Sequence, residues 1–124
     1  MRYVDPNQPG SKVQFKSQYE NFIGGKWVPP VNGEYFGNIS PVDGKVFTQI
    51  PRSSAADIEL ALDAAHAAKA SWNSASPTTR SNLLLKIADR LEQNLELLAV
   101  AETWDNGKPV RETLAADSPL AIDH

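Results

Sequence analysis

Residues 102–113 read ETWDNGKPVRET. Asp105, Asn106, Gly107, Lys108 and Pro109 follow one another where a long helical pattern stops. Gly107 supplies the left-handed residue that ends a helix, and Pro109 prevents the helix from resuming at once. The stretch therefore predicts a helix terminus, a tight polar turn and a return to helix over Arg111–Ala116.

Working back from that turn, Leu84, Ile87, Leu91, Leu95, Leu98 and Ala101 recur at helical spacing. Asn94 divides this run into two helices, and Ser76-Pro77 starts it as a cap followed by a first-turn proline. Asn73–Ser76 reads as a loop. Before it, Ser54 is an N-cap and Asp57 sits where a helix dipole favours negative charge. Ile58, Ala61, Leu62, Ala65, Ala68 and Trp72 then form one stripe on an alanine-rich helix.

Upstream of Pro51 the period is two. FIGGKWV (22–28) places a Gly24-Gly25 loop between two short strands, a hairpin signature. NISPVDGKVFTQI (38–50) turns at Asp43-Gly44, with Pro41 ending its strand or lying at an edge because it cannot donate to a ladder. Pro29-Pro30 and Asn32-Gly33 make the loop between the hairpins. Residues 1–20 carry Pro6, Pro9 and Gly10 among polar residues and predict an extended arm, ordered only if something holds it.

Downstream, Ser118-Pro119 is either a fresh helix start or a kink. PLAIDH (119–124) opens an apolar helix with no stop signal, so the expectation is a chain cut inside an element. The exposed stripe of Leu84, Ile87, Leu91 and Leu120 predicts that the isolated chain self-associates or is poorly stable.

Composition narrows the chemistry. The 124 residues contain no cysteine and only His66 and His124, which excludes disulfides and a thiol nucleophile and leaves no paired imidazoles for a metal. The net charge is −3 and the basic residues are scattered, so no nucleic-acid footprint is expected. No window approaches the length of a membrane span, and the N-terminus lacks a secretory signal. A cytoplasmic protein is the default.

In this order, FIGGKWV, NISPVDGKV and ETWDNGKPVRETLAADSPLAIDH resemble the N-terminal part of the NAD(P)-dependent aldehyde dehydrogenase superfamily, from about Tyr19 to His124. The string ET-x-D-N-G-K-P, followed by Asp117 and then Pro119–His124, carries most of that resemblance. The nearest group is the bacterial one acting on aliphatic aldehydes, acetaldehyde among them. The resemblance implies an α/β parent fold. To it this chain would contribute the arm (1–20), two β-hairpins and three to four α-helices, with 21–124 belonging to the NAD-binding domain region. It also implies oxidation of a small aldehyde to a carboxylic acid with NAD or NADP, by a homo-oligomer. The family's catalytic cysteine, general-base glutamate, oxyanion-hole asparagine and Gly-rich cofactor turn match nothing in this sequence. No catalytic or cofactor-binding residue is assigned, and the isolated chain is expected to be inactive and to bind no cofactor. Its partner would be the remainder of an aldehyde dehydrogenase chain. The competing reading is a stand-alone, non-enzymatic binding or assembly module.

Two sites come from the resemblance alone. Some family members hold a monovalent cation at positions matching Asp105, Asn38 and Ile39, where a carboxylate and backbone carbonyls supply hard oxygen ligands. Ala116 and Leu120 match positions at the mouth of the substrate tunnel, against the plainer reading of core packing. Other residues read as structural: Lys108 beside helix-end carbonyls, His66 at a surface or boundary, and Trp27, Trp72 and Trp104 as core or boundary anchors. Asp57/Glu59 and Glu92/Glu96 read as solvated helix-face charges.

Overall fold

Two hairpins form where the turn residues place them. A computed structural model of the chain describes residues 3–124; Met1 and Arg2 of the arm lie outside the described residues. Strands β1 (Asn21–Ile23) and β2 (Lys26–Val28) pair antiparallel across Gly24 and Gly25, which take φ of 59° and 80°. Strands β3 (Tyr35–Ile39) and β4 (Val46–Pro51) pair antiparallel with an irregularity between Asn38 and Ile39. The two hairpins are separate two-stranded sheets. Pro41 lies just past the end of β3, where no ladder donor is needed.

Helix α1 (Ala55–Ser74) opens on a capping box of Ser54 and Asp57. It runs to Ser74, beyond the break expected at Asn73. Ser74 donates its hydroxyl to the Ser71 carbonyl at 2.9 Å, so a polar residue that suggested a loop is satisfied inside the helix. Helix α2 (Pro77–Gln93) starts at Ser76, whose Oγ accepts from the Thr79 amide at 3.1 Å. Asn94 then separates α2 from α3 (Leu95–Asn106), and its side chain donates to the Arg90 carbonyl at 2.8 Å. Gly107 ends α3 at φ 80°. Helix α4 (Val110–Glu112) leads into a π-helical turn (Thr113–Asp117) and then α5 (Ser118–Asp123). The backbone stays right-handed helical through Asp117 and Ser118, so Ser118-Pro119 accompanies a distortion within a continuing helix rather than a fresh start.

The arm is held by pairing along β4. The Tyr19 amide donates to the Gln49 carbonyl (2.9 Å), and the Gln49 amide donates to the Ser17 carbonyl (3.0 Å). Thr48 Oγ1 donates to the Lys16 carbonyl at 2.7 Å, and the Phe15 and Phe47 rings meet edge to face at 4.7 Å. Farther out the arm doubles back, with the Phe15 amide donating to Asn7 Oδ1 at 2.6 Å.

The apolar core is small: only Val13, Ala99 and Val100 are buried hydrophobics among the described residues. The accessible surface is 8837 Å² for a mass of 13.5 kDa, against roughly 6500 Å² expected of a compact protein that size. Large apolar side chains contribute to that surface. Ile58, Leu62, Leu84, Leu85, Ile87 and Leu120 are exposed, and Trp27 (60%) and Trp72 (43%) are not core anchors within this chain. No helix among the described residues is long and apolar enough to cross a membrane.

Candidate functional site

The end of β3 meets the end of α3, and the residues singled out for a cation come together there. Asn38 Nδ2 donates to Asp105 Oδ1 at 2.6 Å, and Ile39 is the next residue of the strand. Ser40, fully buried, donates its hydroxyl to the Trp104 carbonyl at 2.6 Å, while its Oγ accepts from the Val42 amide at 3.2 Å. Two residues past Asp105, a side chain on Gly107 would place its Cβ 2.8 Å from Pro41 Cγ. Gly107 is thus required twice, for its positive φ and for this approach.

Beside Asp105 lies a cleft of about 480 Å³ between the arm, β4 and α3. Phe15, Phe47 and Leu98 form its apolar wall, and Glu102 and Asp105 bring carboxylates to it. Among the described residues, no three of His, Cys, Asp and Glu cluster as metal ligands.

Ala116 and Leu120 stand elsewhere, in the π turn and in α5, and both are exposed. Neither is packed into the core of this segment. On α5 the half-buried Ile122 and the exposed Ala121 line a second cleft with Leu91 and Leu98. Ala116 and Leu120 line neither that cleft nor the one at Asp105.

Three charged residues read as solvated or as dipole partners have specific partners instead. Lys108 Nζ pairs with the Asp117 carboxylate, and this contact raises the Lys108 pKa above its ordinary value. Lys108 lies beyond the last turn of α3, where side-chain reach rather than the helix dipole chooses its partner. Asp57 is buried and accepts from the amides of Ser54 (2.8 Å) and Val31 (2.9 Å), which hold its carboxyl below the usual range. Glu96 binds Lys12 Nζ at 2.9 Å and accepts from the Tyr3 hydroxyl at 3.1 Å; both lower its pKa and tie the arm to the start of α3. His66 is exposed, in keeping with a surface position.

A family model described as the aldehyde dehydrogenase family matches residues 27–124. The chain belongs to the aldehyde dehydrogenase family. It is 82% identical over all its 124 residues to a long-chain-aldehyde dehydrogenase of Acinetobacter sp., of which it covers 25%. An acetaldehyde dehydrogenase of Pseudomonas aeruginosa is 64% identical over the same length, with 24% covered. Among solved structures, an indole-3-acetaldehyde dehydrogenase complexed with NAD+ superposes with a TM-score of 0.83 at 36% identity, over 87% of this chain and 22% of that one. The chain thus spans about a quarter of the length of the curated relatives it matches. The α/β character expected of an N-terminal aldehyde dehydrogenase segment is met by its mix of helices and small sheets.

Within this aldehyde dehydrogenase segment, sequence reasoning missed the residues that weld the parts. Ser40 had no signal beyond its place in the turn before Pro41. Thr113 is fully buried and donates Oγ1 to the Ala99 carbonyl at 3.0 Å. Its only mark in the sequence is a small polar residue one position short of a helical apolar face.

Proposed function

We propose that this segment serves in a longer NAD(P)-dependent aldehyde dehydrogenase that oxidises an aliphatic aldehyde to the carboxylic acid. Family membership across residues 27–124 carries the reading. The relatives' names span long-chain aldehydes and acetaldehyde, which supports an unbranched aliphatic substrate without choosing its length. In this reading residues 21–124 form part of the NAD-binding domain region and residues 1–20 an arm laid along it. The rest of the chain covers the apolar faces of α1 and α2, and the protein is a cytoplasmic homo-oligomer.

The described residues do not fit a dinucleotide by themselves. Their strands form two antiparallel hairpins, whereas a nucleotide crevice needs a parallel strand leading through a Gly-rich turn into a helix N-terminus. No step of the reaction is routed through these residues. Their part is scaffold and rim.

Two rim roles are included. A monovalent cation is assigned to the Asp105 carboxylate with the Asn38 and Ile39 carbonyls, supported by the Asn38–Asp105 contact that joins strand end to helix end. Ala116 and Leu120 are assigned to the aldehyde entrance, supported by their exposure. The polypeptide carrying this segment should reduce NAD+ or NADP+ when given an aliphatic aldehyde, read as nicotinamide absorbance. Its melting temperature should rise with potassium, and Asp105→Ala should abolish that rise. Absence of aldehyde-dependent reduction with either nucleotide would refute the enzymatic reading. A potassium response equal in both forms would refute the cation site.

A further inference from the structure

Pro119 and Asp117 impose different demands on one stretch of helix. A proline inside a helix lacks an N–H, and its ring collides with the carbonyl four residues back. The chain meets this by widening the preceding turn: the Ser118 amide donates to the Thr113 carbonyl, five residues back. Such single wide turns are uncommon and concentrate at functional positions. A wide turn adds one residue, which rotates everything after it by about 100° about the helix axis. That rotation leaves Ala121 and the half-buried Ile122 lining one cleft with Leu91 and Leu98, and Leu120 outside it and exposed.

The proline calls for a wide turn but does not choose its register. Two contacts do. Thr113 begins the turn and is anchored by its bond to the Ala99 carbonyl. Asp117 ends it and is paired with Lys108. Lys108 is itself held in a rigid turn, with its amide donating to Asn106 Oδ1 at 2.8 Å and Gly107 packed on Pro41. The ion pair thus links the fixed turn after α3 to the last residue of the wide turn, immediately after Ala116.

We propose that the Lys108–Asp117 pair sets the register of the Thr113–Asp117 turn and thereby the position of Ala116 and Leu120, making both charged residues positioning residues for aldehyde chain-length selectivity. This rests on the reading of Ala116 and Leu120 as the aldehyde entrance. Neither Lys108 nor Asp117 touches substrate in this scheme; they act through the turn.

The test uses the complete enzyme and the ratio of kcat/KM for a long over a short unbranched aldehyde. Lys108→Met keeps the length of the side chain and removes the charge. It is expected to shift the ratio by about fivefold, the scale of one partly exposed ion pair, in KM with kcat within about twofold. Asp117→Asn should shift it alike, which keeps the test intact if one variant does not fold. The reversed pair, Lys108→Asp with Asp117→Lys, should restore the ratio that either reversal alone disturbs. Leu120→Ala separates the two ideas. A ratio moved by Leu120→Ala but not by Lys108→Met or Asp117→Asn overturns the pair's role and leaves the entrance standing. A ratio moved by none of them overturns both. Lower melting temperature in Lys108→Met with an unchanged ratio also overturns the proposal, because it assigns the pair to stability alone.

Discussion

The joint between β3 and α3 and the outer face of α1 and α2 are built on opposite plans. At the joint Ser40 is fully buried and donates to the Trp104 carbonyl, and farther up α3 the fully buried Thr113 of the wide turn donates to the Ala99 carbonyl in the same way. On the outer face, Ile58, Leu62, Leu84 and Ile87 are apolar and open. A buried hydroxyl without a partner costs more than its hydrogen bond returns, so the joint tolerates only one arrangement. An apolar face is not directional and specifies no partner until a surface closes on it. The contrast teaches that this segment shapes itself through polar welds and leaves its largest hydrophobic contribution to be made elsewhere.

The sharpest way to break that comparison is at Gly107. Gly107→Val would strain a positive φ and drive its side chain into Pro41, costing on the order of 3–4 kcal/mol. Urea unfolding should show the loss; a midpoint unchanged from the parent would mean the joint is not tight. Next, Thr113→Val removes the donor to Ala99 while keeping volume, and about 1–2 kcal/mol should go. A stability equal to the parent's would place the weld elsewhere.

A smaller effect should appear with acid. The Asp57 carboxyl is held below its ordinary pKa chiefly by the Ser54 and then the Val31 amides. A carboxyl lowered on folding contributes stability that is whole above its unfolded-state value and is lost as pH falls through the folded one. Melting temperature should therefore drop below about pH 4, and Asp57→Asn should flatten that drop. An equal slope in both proteins would show that Asp57 is not part of it. Smallest of all should be Ile87→Gln in the isolated chain, within about 0.5 kcal/mol, because the face is open. The same change in the complete protein should cost several times more; equal small costs in both would mean that nothing ever covers α2.

Turns and helix ends were legible because their causes are local. Gly24-Gly25, Ser76-Pro77, Asn94 and Gly107 act through their own φ, caps and missing donors, and each did in the structure what its residue type predicts. The boundary misplaced at Asn73 involves Ser74, whose hydroxyl bonds within the helix, a choice its residue type does not reveal. The arm's attachment was not legible either, since Phe15 and Thr48 become neighbours only when β4 lies beside it.

The candidate site divides the same way. That Asp105 would lie in a polar turn closing a helix followed from the chain around it. That Asn38, 67 positions away, would lie beside it came only from the family resemblance, and that its side-chain amide would donate to Asp105 Oδ1 came from neither. By itself the sequence determined the hairpins, the main helices, most of their ends and the family, because backbone preference acts over a few residues and motif order is written along the chain. Only the tertiary structure decided which polar group meets which. Lys108 with Asp117, Lys12 with Glu96 and Ser40 with Trp104 join positions brought close by packing, and a linear pattern of charged residues does not encode reach or direction in space.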